Sequence, residues 1–254
     1  MVTAPAVEDV QVDPAPAVPD RCAQVGAHLF VGRQGIFTHT GAVHGYEFLY
    51  RAGRQHTLRV DQWPAPAQDR ATLRVLEATF SPVGVRSVAS DALVFVNFTR
   101  SFLVGDLPVP EEPERLVIEV VESVRSDAEV VAGLARLRER GFRIALDDFV
   151  GLTHQVALLP WADYVKVDRR DLYQRGPELA ALAASHGARL IAERVETAAE
   201  LERCHELGFD YFQGFHLDTP QVLNRTPVRS DQSTRPALRL VAPLDGPVPA
   251  GHTH

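Results

Sequence analysis

Short apolar segments with the residue types of β-strands alternate with amphipathic helical segments through most of this chain. Apolar strands separated by helices are typical of a parallel sheet covered by helices, because each strand is then buried on both faces. About seven or eight such strands favour closure into a barrel over an open sheet. The 254 residues suffice for one such barrel, which commonly needs about 200 to 250 residues.

The predicted strands are rich in β-branched and apolar residues and cover residues 29–38, 43–50, 92–98, 116–121, 142–146, 164–167, 189–192 and 211–215. The predicted helices have apolar residues at helical spacing and cover residues 67–80, 127–140, 177–186 and 198–207, with a short helical connection before the strand at 164–167. The flanking segments are rich in proline and lack a periodic apolar pattern. We therefore expect a disordered leader at 1–22, a barrel domain at 23–223 and a tail at 224–254.

The overall charge excludes one class of partner. A net charge of -7 and a pI near 5.8 argue against binding to DNA or RNA polymers, which requires a basic surface. The two cysteines, Cys22 and Cys204, are far apart and predict neither a disulfide framework nor a zinc site. No apolar stretch reaches the roughly 18 residues of a membrane span, and no signal peptide is evident. We therefore expect a cytoplasmic protein.

Polar residues follow nearly every predicted strand. In a β/α barrel these positions meet at one rim, where the chemistry of such barrels takes place. So many carboxylates at one rim would repel one another unless cations neutralised them. Carboxylate and amide oxygens are ligands that suit Mg²⁺ or Mn²⁺, and two such ions can promote phosphodiester cleavage. The residues concerned are Glu47, Asn97, Glu119, Glu122, Asp147, Asp148, Lys166, Asp168, Glu193, Glu196 and Gln213.

Lys166 is the only lysine among 26 basic residues. In a chain that otherwise uses arginine, a retained lysine indicates a need for a compact ammonium whose pKa can be tuned. It lies in an apolar segment that predicts a buried strand. Beside metal ions, a lysine can orient or deprotonate an attacking water or stabilise developing charge. A Schiff-base aldolase would also use a lysine, but it does not need a ring of carboxylates.

Seven motifs contain the polar residues that follow the predicted strands. In chain order they are Tyr46-Glu-Phe-Leu-Tyr-Arg51, Val96-Asn-Phe-Thr99, Val117-Ile-Glu-Val-Val-Glu-Ser123, Ile144-Ala-Leu-Asp-Asp-Phe149, Val165-Lys-Val-Asp168, Ala192-Glu-Arg-Val-Glu-Thr197 and Gln213-Gly214. In identity and order they resemble the motifs of EAL domains, which are bacterial phosphodiesterases for cyclic di-GMP, and the resemblance extends over residues 29–220. The fold class implied is α/β: a TIM-like (β/α)8 barrel of the EAL type, in which one antiparallel strand is allowed.

The resemblance also implies residue roles. Lys166 and Glu193 would act on the catalytic water, with Glu196 in support. The implied substrate-binding residues, of which Arg51 contacts a phosphate, are Leu49, Arg51 and Gln213. The implied ligands of a two-metal site for Mg²⁺ or Mn²⁺ are Glu47, Asn97, Glu119, Asp147 and Asp148. Whether Glu119 or Glu122 is the metal ligand stays open.

The sequence departs from the family pattern near the site. The loop after the paired aspartates, residues 150–154, lacks the usual Gly-Thr-Gly core, and Arg194 replaces the usual glycine. These departures resemble the EAL branch that is usually fused to an HDOD domain. Two hypotheses follow: a phosphodiesterase that converts cyclic di-GMP to linear pGpG, or a receptor or protein-interaction module with weak or no hydrolysis. A homodimer or a regulatory protein partner is compatible with either.

Overall fold

The computed structural model describes residues 29–51, 60–80 and 84–225. The predicted leader lies outside these residues. So does the predicted tail, except for its first two residues. The described part contains one sheet, whose strands are β1 (Phe30–Thr38), β2 (Val43–Arg51), β3 (Leu93–Phe98), β4 (Leu116–Val120), β5 (Arg143–Leu146), β6 (Tyr164–Asp168), β7 (Arg189–Glu193), β8 (Tyr211–Phe212) and β9 (Gln221–Asn224).

Strands β1 to β8 close into a barrel in the order β2-β3-β4-β5-β6-β7-β8-β1, with β1 pairing back to β2. All neighbours from β2 to β8 are parallel, whereas β1 is antiparallel to both β2 and β8. The predicted barrel with one antiparallel strand is therefore confirmed. Strands β4 and β6 are buried along their whole length, as expected for barrel strands covered by helices.

The additional strand β9 pairs antiparallel with β1 outside the barrel. This strand was not predicted, because three of its four residues are exposed and it has no alternating apolar pattern. The predicted boundary between barrel and tail, at residue 223, falls within this strand. The predicted strand at 211–215 was too long: β8 ends at Phe212, and the chain turns at Gly214, where a Cβ atom would lie 2.2 Å from the backbone of Val195.

The helices cover the outside of the barrel. Predicted helices are confirmed within a few residues of their ends, and Asp127 and Thr197 cap two of them by accepting hydrogen bonds from backbone N–H groups. Three helices of four to seven residues were missed because they are too short to show periodicity. The helices are α1 (Ala65–Phe80), α2 (Arg86–Ala89), α3 (Arg100–Val104), α4 (Ala128–Glu139), α5 (Thr153–Val156), α6 (Arg169–Arg175), α7 (Pro177–Ala183) and α8 (Ala198–Glu206), with 3-10 turns at Val60–Gln62 and Leu159–Trp161. None of the helices in the described segments is long and apolar enough to cross a membrane.

The barrel interior has an apolar layer toward the N-terminal ends of the parallel strands. Six strands each contribute one buried residue to it: Ile36, Phe95, Val117, Ala145, Tyr164 and Ile191. Strand β2 contributes Gly45 opposite Leu93, where a Cβ atom would lie 2.6 Å from the ring of Phe95. Glycine is therefore required at this position so that the aromatic ring can fill the interior. Side chains alternate between the two faces of a strand, so residues two positions further along again point inward.

Candidate active site

A polar layer lies directly above the apolar layer. Each parallel strand contributes the residue two positions after its apolar-layer residue. Strand β1 runs in the opposite direction, so it contributes the residue two positions before its apolar-layer residue. Sequence analysis identified all of these residues except Gln34, because the reversed direction of β1 places the rim at the start of that strand. The layer comprises Gln34, Glu47, Asn97, Glu119, Asp147, Lys166, Glu193 and Gln213.

Lys166 occupies the centre of this layer. Its Nζ atom lies 2.9 Å from Glu119 Oε1 and Glu193 Oε1, 3.0 Å from Asp147 Oδ1 and 3.4 Å from Glu47 Oε2. The lysine side chain is 1% exposed and that of Glu119 is fully buried. One ammonium thus faces four carboxylates, three within strands and Asp147 directly after β5. The fully ionised group would carry a net charge of about -3 in a site with little water to screen it.

This excess of negative charge shifts the pKa values of the group. Burial raises the pKa of Glu119 well above its usual range, and Glu47 and Asp147 add to the effect against the opposing charge of Lys166. Burial likewise raises the pKa of Glu193 to about 8. Burial alone would lower the pKa of Lys166, but the surrounding carboxylates outweigh it and raise that pKa well above its usual range. The lysine is therefore a protonated ammonium in the metal-free protein.

A second acidic cluster shares Asp147 with the first. Glu122, Asp147 and Asp148 each present an oxygen within 4.8 Å of the other two. Burial and the charge of Asp147 raise the pKa of Asp148 to about 6, and burial raises the pKa of Glu122. The two glutamates that the sequence left as alternatives are thus separated: Glu119 lies in the Lys166 cluster, and Glu122 lies with the paired aspartates.

The polar layer fits hard divalent cations. Among the described residues, Asn97 Oδ1 and Glu119 Oε2 are buried without a hydrogen-bond partner, whereas Glu119 Oε1 contacts the Lys166 ammonium at 2.9 Å. Buried oxygens without donors are costly, and a cation would satisfy them. Carboxylate and amide oxygens are the ligand types that such cations prefer.

The site opens into a cleft of about 700 Å³. Leu49 and Arg51 line one side, and Gln213 lies deeper, where its Nε2 atom donates to Glu47 Oε2 at 2.6 Å. Burial lowers the pKa of Arg51 against the opposing effect of Glu47. Glu196 also lines the cleft, but it is outside the Lys166 cluster and pairs with Arg169 at 3.3 Å.

The loop after Asp148 is organised by Gln155, which sequence analysis did not identify. Its Oε1 atom accepts hydrogen bonds from the backbone N–H groups of Val150 and Leu152 at 3.0 and 3.2 Å, and its Nε2 atom donates to Asp148 O at 2.9 Å. Asp148 has a positive φ of 43°, which disfavours residues with side chains. The buried Gln155 side chain therefore holds Asp148 in a strained conformation. It also binds the backbone of the loop at 150–154, which lacks the Gly-Thr-Gly sequence described above.

Replacing Gln155 with leucine should loosen Asp148. We expect a 10- to 100-fold loss of Mn²⁺ affinity, about the effect of removing a group that orients a metal ligand, and a loss of about 2 kcal/mol in the free energy of unfolding. Calorimetric metal titration and chemical denaturation measure the two effects. The variant Gln155→Glu keeps the acceptor for the Val150 and Leu152 N–H groups but loses the donor to Asp148 O, so it should also lose Mn²⁺ affinity. Unchanged Mn²⁺ affinity in Gln155→Leu would contradict the support of Asp148 by Gln155.

Comparison with protein families gives a match to the EAL domain over residues 94–220. The match begins in β3, so the segment Tyr46–Arg51 lies before it. The chain is 30% identical over 203 residues to cyclic di-GMP phosphodiesterase CdgJ of Vibrio cholerae, covering 77% of this chain and 45% of that protein. It is 29% identical over 204 residues to an uncharacterized protein of Bacillus subtilis, YuxH, covering 77% and 48%. The chain thus spans slightly less than half the length of these curated relatives.

Solved structures share the fold. The Bacillus subtilis protein YkuI, which has an EAL domain and was solved with cyclic di-GMP and calcium, matches with a TM-score of 0.61 and 24% identity, covering 80% of this chain and 58% of that one. A standalone EAL protein from Vibrio cholerae, bound to cyclic di-GMP, matches with a TM-score of 0.58 and 18% identity, covering 78% and 94%. Together with the family match over half of the sequence, this barrel with its acidic C-terminal rim shows that the chain belongs to the EAL domain family.

Proposed function

We propose that this protein hydrolyses cyclic di-GMP to linear pGpG in a metal-dependent reaction. The observation that carries the proposal is the Lys166 cluster, in which one buried ammonium and four carboxylates lie next to a second acidic cluster through Asp147. The similarity to a cyclic di-GMP phosphodiesterase supports it. A receptor without turnover would not require this complete set of metal-binding groups.

The polar layer would hold two divalent cations. Asp147 belongs to both acidic clusters, so it would contribute to holding both cations. When bound, such ions lower the pKa of a coordinated water and neutralise charge on the phosphate. The proposed ligands from the sequence are Glu47, Asn97, Glu119, Asp147 and Asp148, and the geometry adds Glu122 to the candidates.

Lys166 and Glu193 would then act on the attacking water. The water oxygen would form a bond to phosphorus as the water gives up a proton to Glu193. The bond from phosphorus to the 3′ oxygen would break, and that oxygen would take up the proton from Glu193. The raised pKa of Lys166 favours an ammonium that orients the water and stabilises negative charge. The Glu193 carboxylate lies 2.9 Å from Lys166 Nζ, so it is placed beside the same water to accept its proton and return it to the leaving oxygen.

The finer assignments are part of the same proposal. We propose Mg²⁺ or Mn²⁺ as the resident ions, because all candidate ligands are hard oxygens. The residue differences at 150–154 and at Arg194 support membership of the EAL branch that is usually fused to an HDOD domain. We also propose a cytoplasmic location and regulation through a homodimer or a protein partner.

A direct assay tests this function. Incubation with cyclic di-GMP and Mn²⁺ or Mg²⁺ should yield pGpG, detected by chromatography, and a chelator should stop the reaction. The resident metal supplies both charge neutralisation and activated water, so removing it is expected to lower the rate by at least ~10³-fold. Tight nucleotide binding without product would favour the receptor instead, and absence of binding would favour a protein-interaction module.

A further inference from the structure

Arg194 has a backbone conformation that arginine rarely adopts. It follows the last residue of β7, and its φ of 57° lies in the left-handed region that disfavours residues with a Cβ atom. The Arg169 side chain holds it there, since Arg169 Nε donates a hydrogen bond to Arg194 O at 2.7 Å. Strained residues that neighbouring contacts hold in place cluster at ligand-binding sites.

A buried carboxylate orients the Arg194 guanidinium. Its Nε atom lies 2.8 Å from Asp168 Oδ2, and the Asp168 side chain is only 3% exposed. The Arg194 side chain is 60% exposed, and no ion pair or hydrogen bond within the described segments engages its two terminal nitrogens. Arg170 also binds Asp168, through Nε at 3.0 Å and Nη2 at 2.5 Å. The terminal nitrogens of Arg194 are thus held in place and available to a ligand.

The position of Arg194 complements that of Arg51. Arg51 is the last residue of β2. Strand β7, which Arg194 follows, lies three strands away through β8 and β1 in the closed eight-stranded barrel, toward the far side of its mouth. Arg170 follows β6 and Arg194 follows β7, and both line the same cleft as Asp148 and Arg51. Cationic groups therefore lie on both sides of the acidic site.

We propose that Arg194 is a substrate-binding residue whose guanidinium binds a phosphate of the cyclic dinucleotide, across the mouth from Arg51. The inference rests on the proposed function. Cyclic di-GMP has two phosphates on opposite sides of its ring, and most charged groups that line the cleft are acidic and repel them. The planar guanidinium matches the geometry of a phosphate and keeps its charge at all relevant pH values.

The test compares Arg194→Gly with a matched control. Glycine removes the guanidinium and relieves the positive φ, while Asp168 keeps its contacts with Arg170, so the variant should fold with an unchanged or higher melting temperature. The control Arg189→Ala removes an equally exposed arginine, 64% exposed and paired with Asp210 at 2.6 Å, from the other end of β7. We measure KM and kcat with Mn²⁺, and calorimetric binding of cyclic di-GMP with Ca²⁺.

In Arg194→Gly, KM and Kd for cyclic di-GMP should rise about tenfold, as expected for a lost charge-assisted contact, with kcat changed by less than about threefold. Arg194→Lys should recover part of the affinity, and Arg189→Ala should match the unmutated protein. Unchanged affinity in Arg194→Gly would overturn this inference alone, as would a lower melting temperature with kcat reduced in parallel. If the unmutated protein neither binds nor hydrolyses cyclic di-GMP with Mg²⁺, Mn²⁺ or Ca²⁺, the proposed function and this inference are both overturned.

Discussion

Replacing Lys166 with methionine is expected to lower the turnover of cyclic di-GMP by at least ~10³-fold, because it removes the buried ammonium that would orient the reacting water in the proposed mechanism. Methionine has a similar length but no charge, so the loss would come from electrostatics and not from a cavity. The measurement is the rate of pGpG formation at saturating Mn²⁺. Turnover near that of the unmutated protein would contradict the role of Lys166.

The same substitution should destabilise the metal-free protein in a pH-dependent way. The pKa of Glu193 is raised from its usual 4.5 to about 8 in the folded state. Its contribution to the free energy of unfolding is therefore fully present below pH 4.5 and is lost as the pH rises through 8. Without Lys166 the carboxylates lose the charge that lowers their pKa values. The free energy of unfolding of Lys166→Met should therefore fall further below that of the unmutated protein from pH 5 to pH 8, and Mn²⁺ should reduce this difference.

A control variant separates this effect from a simple loss of charge. Arg203→Met removes one positive charge from a solvent-exposed pair with Glu206, whose closest atoms are 3.4 Å apart. Exposed ion pairs contribute little to stability, so this variant should keep both its turnover and its unfolding profile between pH 5 and pH 8. A deficit of the same size in Arg203→Met would show that net charge, and not the buried cluster, is responsible.

Asp147→Asn should have the second large effect, since Asp147 belongs to both acidic clusters. Asparagine preserves the shape but removes a charge that both metal positions would share. We expect at least a tenfold loss of Mn²⁺ affinity and a loss of turnover of at least ~10³-fold. Calorimetric metal titration and the pGpG assay measure the two quantities.

Asp91→Asn provides the control for that experiment. Its carboxylate is 83% exposed and precedes β3, at the opposite end of the barrel from the site. This variant should bind Mn²⁺ and turn over cyclic di-GMP like the unmutated protein. Equal metal affinity in Asp147→Asn and the unmutated protein would show that the metals bind without Asp147.

Most of the barrel and the polar layer could be predicted from the sequence, because both follow from a period of two along buried strands. Glu119 and Lys166 lie two positions after Val117 and Tyr164, so they point into the interior above apolar residues. The same reasoning missed Gln34, since only the direction of β1 relative to its neighbours shows which end of that strand reaches the site. Strand β9 was missed because its exposed residues have no apolar pattern.

The sequence by itself determined the alternation of strands and helices, the barrel and the identity of the polar residues at its C-terminal rim, because these depend on local periodicity. Only the tertiary structure decided how those residues are grouped. It placed Glu119 beside Lys166 and Glu122 beside Asp148. It also placed the Arg194 side chain at the cleft, where the guanidinium forms an ion pair with Asp168. These contacts join residues from different strands and loops, and their distances depend on how the barrel closes, which no local pattern encodes.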